Sequence, residues 1–301
     1  MTKNLRVLAA MGLCLSPLHA LAAFNIFACQ PEWAALAQEL AGDKAAVYSA
    51  TTALQDAHRI EARPSLIART RSADLVICSG SELEAGWLPV LLAQSGNNRI
   101  QPGSPGYLEA SQLVIRLEIP KSLDRSQGDI HAGGNPHVHT DARNIAKVAD
   151  TVAERLAQLD PANAGAYKSR AASFQERWQA AIQRWEREGA RLKGVPVIVH
   201  HRDFSYFIRW MGMLEAGSLE PKPGIPPTPS HLAGLVEQMK RAPAKVIVYA
   251  PYNDPRAAQF LAERTGIPAV MMPFTVGGNE KARDLFGLFD DTLARLLAVI
   301  K

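Results

Sequence analysis

Cysteine is scarce in this sequence, with three in 301 residues. No Cys-x-x-Cys pair and no His-Glu-x-x-His segment occurs, so no metal or redox centre is written into one short stretch. An excess of one charge is missing too. Lys and Arg number 33 against 29 Asp and Glu, a formal +4. The basic residues are scattered, which gives no footing for nucleic acid. No internal repeat or low-complexity tract stands out. What remains is 47% apolar and 21% charged, a soluble globular composition with length for one large or two medium domains.

The first 22 residues read as a secretory signal. Lys3 and Arg6 form a basic start, Val7 to Leu18 is mostly apolar, and Ala20-Leu21-Ala22 is a small-x-small cleavage site. The apolar run is too short for a stable transmembrane helix. Cleavage is expected near Ala22. Cys14 lies inside the signal, and Leu13 before it is too bulky for lipoprotein processing. A soluble exported chain without a lipid anchor is therefore expected. Removing Lys3 and Arg6 takes the charge from +4 to +2.

Two cysteines survive that cleavage, Cys29 and Cys78, and an even number in an exported chain suggests a disulfide. Both end short apolar runs, Phe24 to Ala28 and Ala73 to Ile77. If these are neighbouring parallel strands, the sulfurs can meet. Two buried thiols or a soft metal site are the rival readings, though two cysteines alone make a poor metal site.

Strand-like and helix-like segments alternate along the chain, which predicts an α/β fold with mostly parallel sheets. Strands are expected at Phe24 to Cys29, Ala45 to Ala50, Ala73 to Cys78 and Gln112 to Leu117. Ser81 and Glu84 form a capping-box pattern before Leu83, Trp87, Leu88, Leu91 and Leu92, predicting a helix there. Ala142 to Leu159 is an amphipathic helix. Asp160-Pro161 then opens a highly charged helix to about Arg191, with Asp as N-cap and Pro at the first position. At about thirty residues it spans on the order of 45 Å, a strut between two lobes. After Gly194 the alternation restarts, with strands at Val195 to His200, Lys245 to Ala250 and Ala269 to Met272. The expected organisation is a signal at 1–22, a first lobe at 23–159, a connecting helix at 160–191 and a second lobe at 192–301.

The chemistry gathers around Gly133 to Asn144, GGNPHVHTDARN. Pro136 removes a donor and biases Asn135 to an extended conformation. His137 and His139 are two apart, so on an extended segment they face opposite ways. A histidine framed by Gly and Pro suits a preformed site; the same residues also fit a surface loop. His58 follows the second strand and His201 ends the strand at Val195 to His200. Together with His137 they occupy loops where α/β proteins place ligands. Each alone is more often structural or solvent-exposed; three at comparable positions make a joint case. Neutral imidazole suits zinc, copper, nickel or iron better than magnesium or calcium. Three histidines with one open position also describe a catalytic zinc, for which Glu61 or Asp203 would have to serve as base.

GGNPHVHTDARN resembles the NPHVWLDPxN motif of periplasmic metal-binding proteins of ABC importers, the ZnuA- and TroA-like group. DAHRIEARPSLIARTRSADLVICSGSELEAGWL is similar to the segment of that family's first lobe that carries a histidine ligand. DPANAGAYKSRAASF resembles the start of its long helix, and HRDFSYF its HDAFGYF. The four occur in the family's order over nearly all of the mature chain. The resemblance implies His58, His137 and His201 as metal ligands and two lobes, each a mostly parallel sheet flanked by helices, joined by one long helix. It also implies a periplasmic monomer that captures Zn2+ and delivers it to a membrane ABC permease.

Departures from the family pattern bear on the site. The family's tryptophan is His139, the acid after the third histidine is Arg202, and the aspartate of a late LDP segment is Met272. A thioether is a poor zinc ligand. Water, Asp203, Glu220 and His139 are the candidates for the fourth position, with water expected. Of the family's His/Asp-rich loop only SQGDIHAG, with Asp129 and His131, is left. A manganese-binding homologue or adhesin and a secreted zinc hydrolase are the alternatives.

Overall fold

The structure, a computed structural model, describes residues 24–122 and 128–300. The expected signal sequence and its expected cleavage near Ala22, with Ser126 and Gln127 of SQGDIHAG, lie outside the described residues.

Two four-stranded sheets, parallel throughout, form the frame. In the first, β1 (Phe24–Ala28) lies between β2 (Ala45–Ser49) and β3 (Leu75–Cys78), with β4 (Tyr107–Glu109) outside β3. In the second, β5 (Pro196–Val199) lies between β6 (Leu214–Ser218) and β7 (Val246–Tyr249), with β8 (Ala269–Met271) outside β7. The two sheets share one strand order. β3 is buried along its whole length, and so are the last three residues of β5. Helices therefore cover both faces, the usual state of parallel sheets. The covering helices are α1 (Pro31–Ala41), α2 (Pro64–Ser72), α3 (Leu88–Ser95), α4 (Ala142–Leu159), α5 (Ala164–Gly189), α6 (Ser205–Met211), α7 (Pro229–Arg241), α8 (Arg256–Thr265) and α9 (Leu285–Val299). Among the described residues no helix is long and apolar enough to cross a membrane.

The long helix starts later than its sequence suggests, and it is not polar all round. A 3-10 turn at Pro161–Asn163 precedes α5, which runs 26 residues, about 39 Å. Asp160 does not cap it; its carboxylate accepts from Asn163 Nδ2 and the Tyr167 hydroxyl. Tyr167, Phe174, Trp178 and Trp185 form a buried stripe at helical spacing. They share one cluster with Leu36 of α1, Ile145 of α4, Val197 of β5 and Leu293 of α9. The charged residues lie on the opposite face, and they dominate the sequence impression.

Two other expectations shift. No strand forms at Gln112 to Leu117: Ala110–Leu113 is a 3-10 turn, and the fourth strand is the earlier Tyr107–Glu109. The capping box at Ser81 and Glu84 does not form either. Gly80, Ser81 and Glu82 all have left-handed φ of 75°, 49° and 66°, and α3 starts only at Leu88, with proline in its first turn. Glu84 turns back to the end of β3 and accepts from Ser79 N (3.0 Å), Gly80 N (3.1 Å) and Gln30 Nε2 (2.5 Å). Cys29 and Cys78, just past or at the ends of adjacent β1 and β3, are joined as a disulfide with Cα atoms 4.8 Å apart.

Candidate metal site

The carboxyl ends of both sheets face a common cleft, where an open parallel sheet places its ligand loops. His58 comes from the loop after β2, His137 from the turn before α4, and His201 from the turn two residues past β5. Their ring centroids form a nearly equilateral triangle of 5.6, 5.7 and 5.8 Å. One ring nitrogen of each lies within 4.8 Å of the other two. His137 is 2% exposed. His58 faces a cleft of about 720 Å³ lined also by Asp56, Glu220, Tyr252 and Phe260.

Local structure holds each ring. Asp56 Oδ1 accepts from both the backbone N (3.0 Å) and Nδ1 (2.7 Å) of His58. Glu220 Oε2 accepts from His201 Nδ1 at 2.7 Å. Each of these carboxylates holds a ring by Nδ1 and turns its Nε2 toward the cleft; that of His58 meets His131 Nε2 there at 3.2 Å. The His137 turn is set by Asn135, whose Oδ1 accepts from His137 N at 2.9 Å. Asn135 Nδ2 donates to Arg202 O (2.9 Å), tying the first-lobe turn to the second-lobe turn. Gly134 has φ +90°, and a Cβ there would lie 2.6 Å from Leu117 O, so only glycine fits. Both ring nitrogens of His137 are buried without a partner.

Of the other candidates, His139 is turned away from the triangle. Val138–Thr140 is a 3-10 turn and not an extended strand. His139 Nδ1 lies 3.1 Å from Glu32 Oε1, and Nε2 lies 3.0 Å from Phe274 O. Glu220 is engaged behind His201. Asp203 is 1% exposed, accepts from the Tyr252 hydroxyl at 2.5 Å, and lies 3.7 Å from His137 Nε2. Glu61 is not among the residues lining the clefts beside the histidines. Two neighbours were not read as part of the site, Asp56 not at all and His131 only as the remnant of a His/Asp-rich loop. Asp56, two before His58, carries the local signal of an Asx turn. His131 Nε2 lies 3.2 Å from His58 Nε2, a contact between distant segments that no local pattern foretells.

Electrostatics separate the three rings. Burial and the neighbouring imidazoles push His137 well below the usual histidine value. Burial also works against a proton on His201, but Asp203, Glu220 and Asp56 overcome it and hold the ring up at about 9. Converging imidazoles backed by carboxylates are the donor types that a d-block cation takes.

A family model, ZnuA (zinc-uptake complex component A, periplasmic), matches residues 26–299. The chain belongs to the ZnuA family. It is thus a metal ABC transporter substrate-binding protein, a solute-binding transport component and not an enzyme. The hydrolase alternative falls with that. The chain is similar to the metal ABC transporter substrate-binding lipoprotein ScbA of Streptococcus cristatus, at 23% identity over 86% of this chain and 82% of that one. It is also similar to the manganese ABC transporter substrate-binding lipoprotein PsaA of Streptococcus pneumoniae, at 25% identity over 80% and 76%. A crystal structure of ZnuA matches with a TM-score of 0.77 at 19% identity, covering 93% of this chain and 100% of that one. The ZnuA-like fold accounts for the two parallel sheets.

Proposed function

We propose that this ZnuA-family protein captures zinc in the periplasm with His58, His137 and His201 and delivers it to an ABC permease for uptake. The observation that carries the metal is the donor set. Three imidazoles converge from three separate segments, two of them with Nδ1 held by a carboxylate. Zinc is bound by histidine nitrogen at 2.0–2.1 Å, and manganese prefers a shell richer in oxygen. Relatives include a manganese-binding lipoprotein by name, which makes manganese the second reading. The lobes of the proposed mechanism are 23–159 and 192–301, joined through 160–191, acting as a monomer after removal of residues 1–22.

The test is a chelator-competition titration of the mature protein with zinc and with manganese. One zinc per chain is expected, bound far more tightly than manganese. His58→Ala, His137→Ala and His201→Ala should each weaken zinc at least tenfold, about 1.4 kcal/mol. His231→Ala, on α7 with Nε2 at the Ser218 carbonyl, should not. Tighter binding of manganese would move the assignment to the second reading.

A further inference from the structure

We infer that Asp203 is the fourth, anionic ligand of this site, taking over from the loop after β8, where Met272 stands in place of the family's acid. The inference rests on the three-histidine reading. Met272 is buried in the core and brings no charge. Asp203 sits in the turn Arg202–Phe204, two residues beyond His201, on the second lobe like the acid it would replace.

Its surroundings fit a ligand better than a structural carboxylate. One oxygen accepts from the Tyr252 hydroxyl. The other, Oδ2, is buried and has no partner. A buried carboxylate oxygen left unpaired is unusual and costly. His137, facing it, has both ring nitrogens buried and unpaired. The 3.7 Å between His137 Nε2 and Asp203 Oδ1 is too long for a hydrogen bond. Two ligands at 2.0–2.2 Å on a tetrahedral zinc stand about 3.4 Å apart. A cation between His137 Nε2 and Asp203 Oδ1 needs a shift of a few tenths of an ångström, and a rotation of the carboxyl group lets the unpaired Oδ2 take that place while Oδ1 stays with Tyr252.

The rivals leave Asp203 Oδ2 without a partner. Glu220 Oε2 already serves His201 Nδ1 and Gly224 N. Asp56 is engaged by His58, and His139 faces Glu32. Water would bring no charge to match the carboxylate. His131, 3.2 Å from His58 Nε2, is also near a tetrahedral edge. It is a neutral donor on a partly exposed segment, and ligation through it would leave Asp203 Oδ2 buried and unpaired.

The experiment is zinc titration against a chelator for wild type, Asp203→Asn, Asp203→Ala and His131→Ala, alongside the three histidine variants. Asp203→Asn keeps the shape and removes the charge; it should weaken zinc about a hundredfold, while His131→Ala stays within threefold. Asp203→Ala leaves room for a small carboxylate, so millimolar formate should restore at least tenfold. Metal-free Asp203→Asn should melt at or above wild type, since the charge it loses has an unpaired oxygen there. Binding by Asp203→Asn within threefold of wild type overturns the inference, as does loss of binding with no formate rescue and a lowered metal-free melting temperature. If the histidine variants themselves bind as wild type, it is the three-histidine reading that fails.

Discussion

Glu84 shows at the scale of one residue how a correct local pattern can serve another purpose. Ser-x-x-Glu is the spacing of a capping box, yet three consecutive left-handed residues carry the chain away from a helix. The carboxyl group closes the end of β3 instead. Burial pushes its pKa up to about 7, against the pull of the N–H donors around it. The folded value lies above the ordinary 4.5, so the native state holds the proton more tightly. That stability is fully present below pH 4.5 and is lost as pH rises through 7. The shift corresponds to on the order of 3 kcal/mol. Urea unfolding of wild type and Glu84→Gln between pH 5 and 8 should show the wild type losing stability relative to the variant; parallel curves would refute the shift. The convergence of His58, His137 and His201 was legible because each lies in a motif resembling the family's. Asp203 and Tyr252 were not legible as a pair, since 49 residues separate them in sequence and they meet only in the fold.

At the scale of elements, legibility follows burial. The central strands β3, β5 and β7 are continuous apolar runs and β1 is broken only by Asn25; all four were found, as were the edge strands β2 and β8. β6, Leu-Glu-Ala-Gly-Ser at a sheet edge and half exposed, has no apolar run to read. β4 has only three residues, too few to stand out beside the apolar stretch that follows it, whose Ile115 is 74% exposed. The placement of the cysteines is an element-level consequence of strand pairing. β1 and β3 are parallel neighbours with Ala28 opposite Ile77, so the residues after them are adjacent. The bridge spans a sequence separation of 49, and the chain-entropy model gives such a loop about 4 kcal/mol. Thiol counting on the denatured, unreduced mature protein should find none, and reduction should lower the denaturation midpoint. Two free thiols would remove the bridge.

For the whole molecule, the decisive feature is that the two sheets share a core. One apolar cluster runs from Leu36 of α1 through Phe174 and Trp178 of α5 to Leu288 of α9, taking in Ile77 of the first sheet and Val199 of the second. Near the site a buried polar link joins the lobes as well. Glu32 of α1 accepts from the Thr275 hydroxyl at 2.5 Å, and His139 reaches the Phe274 carbonyl. Two lobes fastened along their length should unfold together. Trp178 is the place to test this. It is fully buried, donates Nε1–H to Ala142 O at 2.8 Å, stacks on Phe174, and meets Trp185, Phe286 and Phe289 edge-on. Truncating such a residue removes its transfer energy and leaves a cavity, at about 3–5 kcal/mol. Trp178→Ala should therefore lower the melting temperature of both lobes by the same amount in one transition. Calorimetry of the metal-free protein reads it directly. Two separated transitions, with only one of them moved, would mean that the lobes are independent units and that the shared core does not couple them.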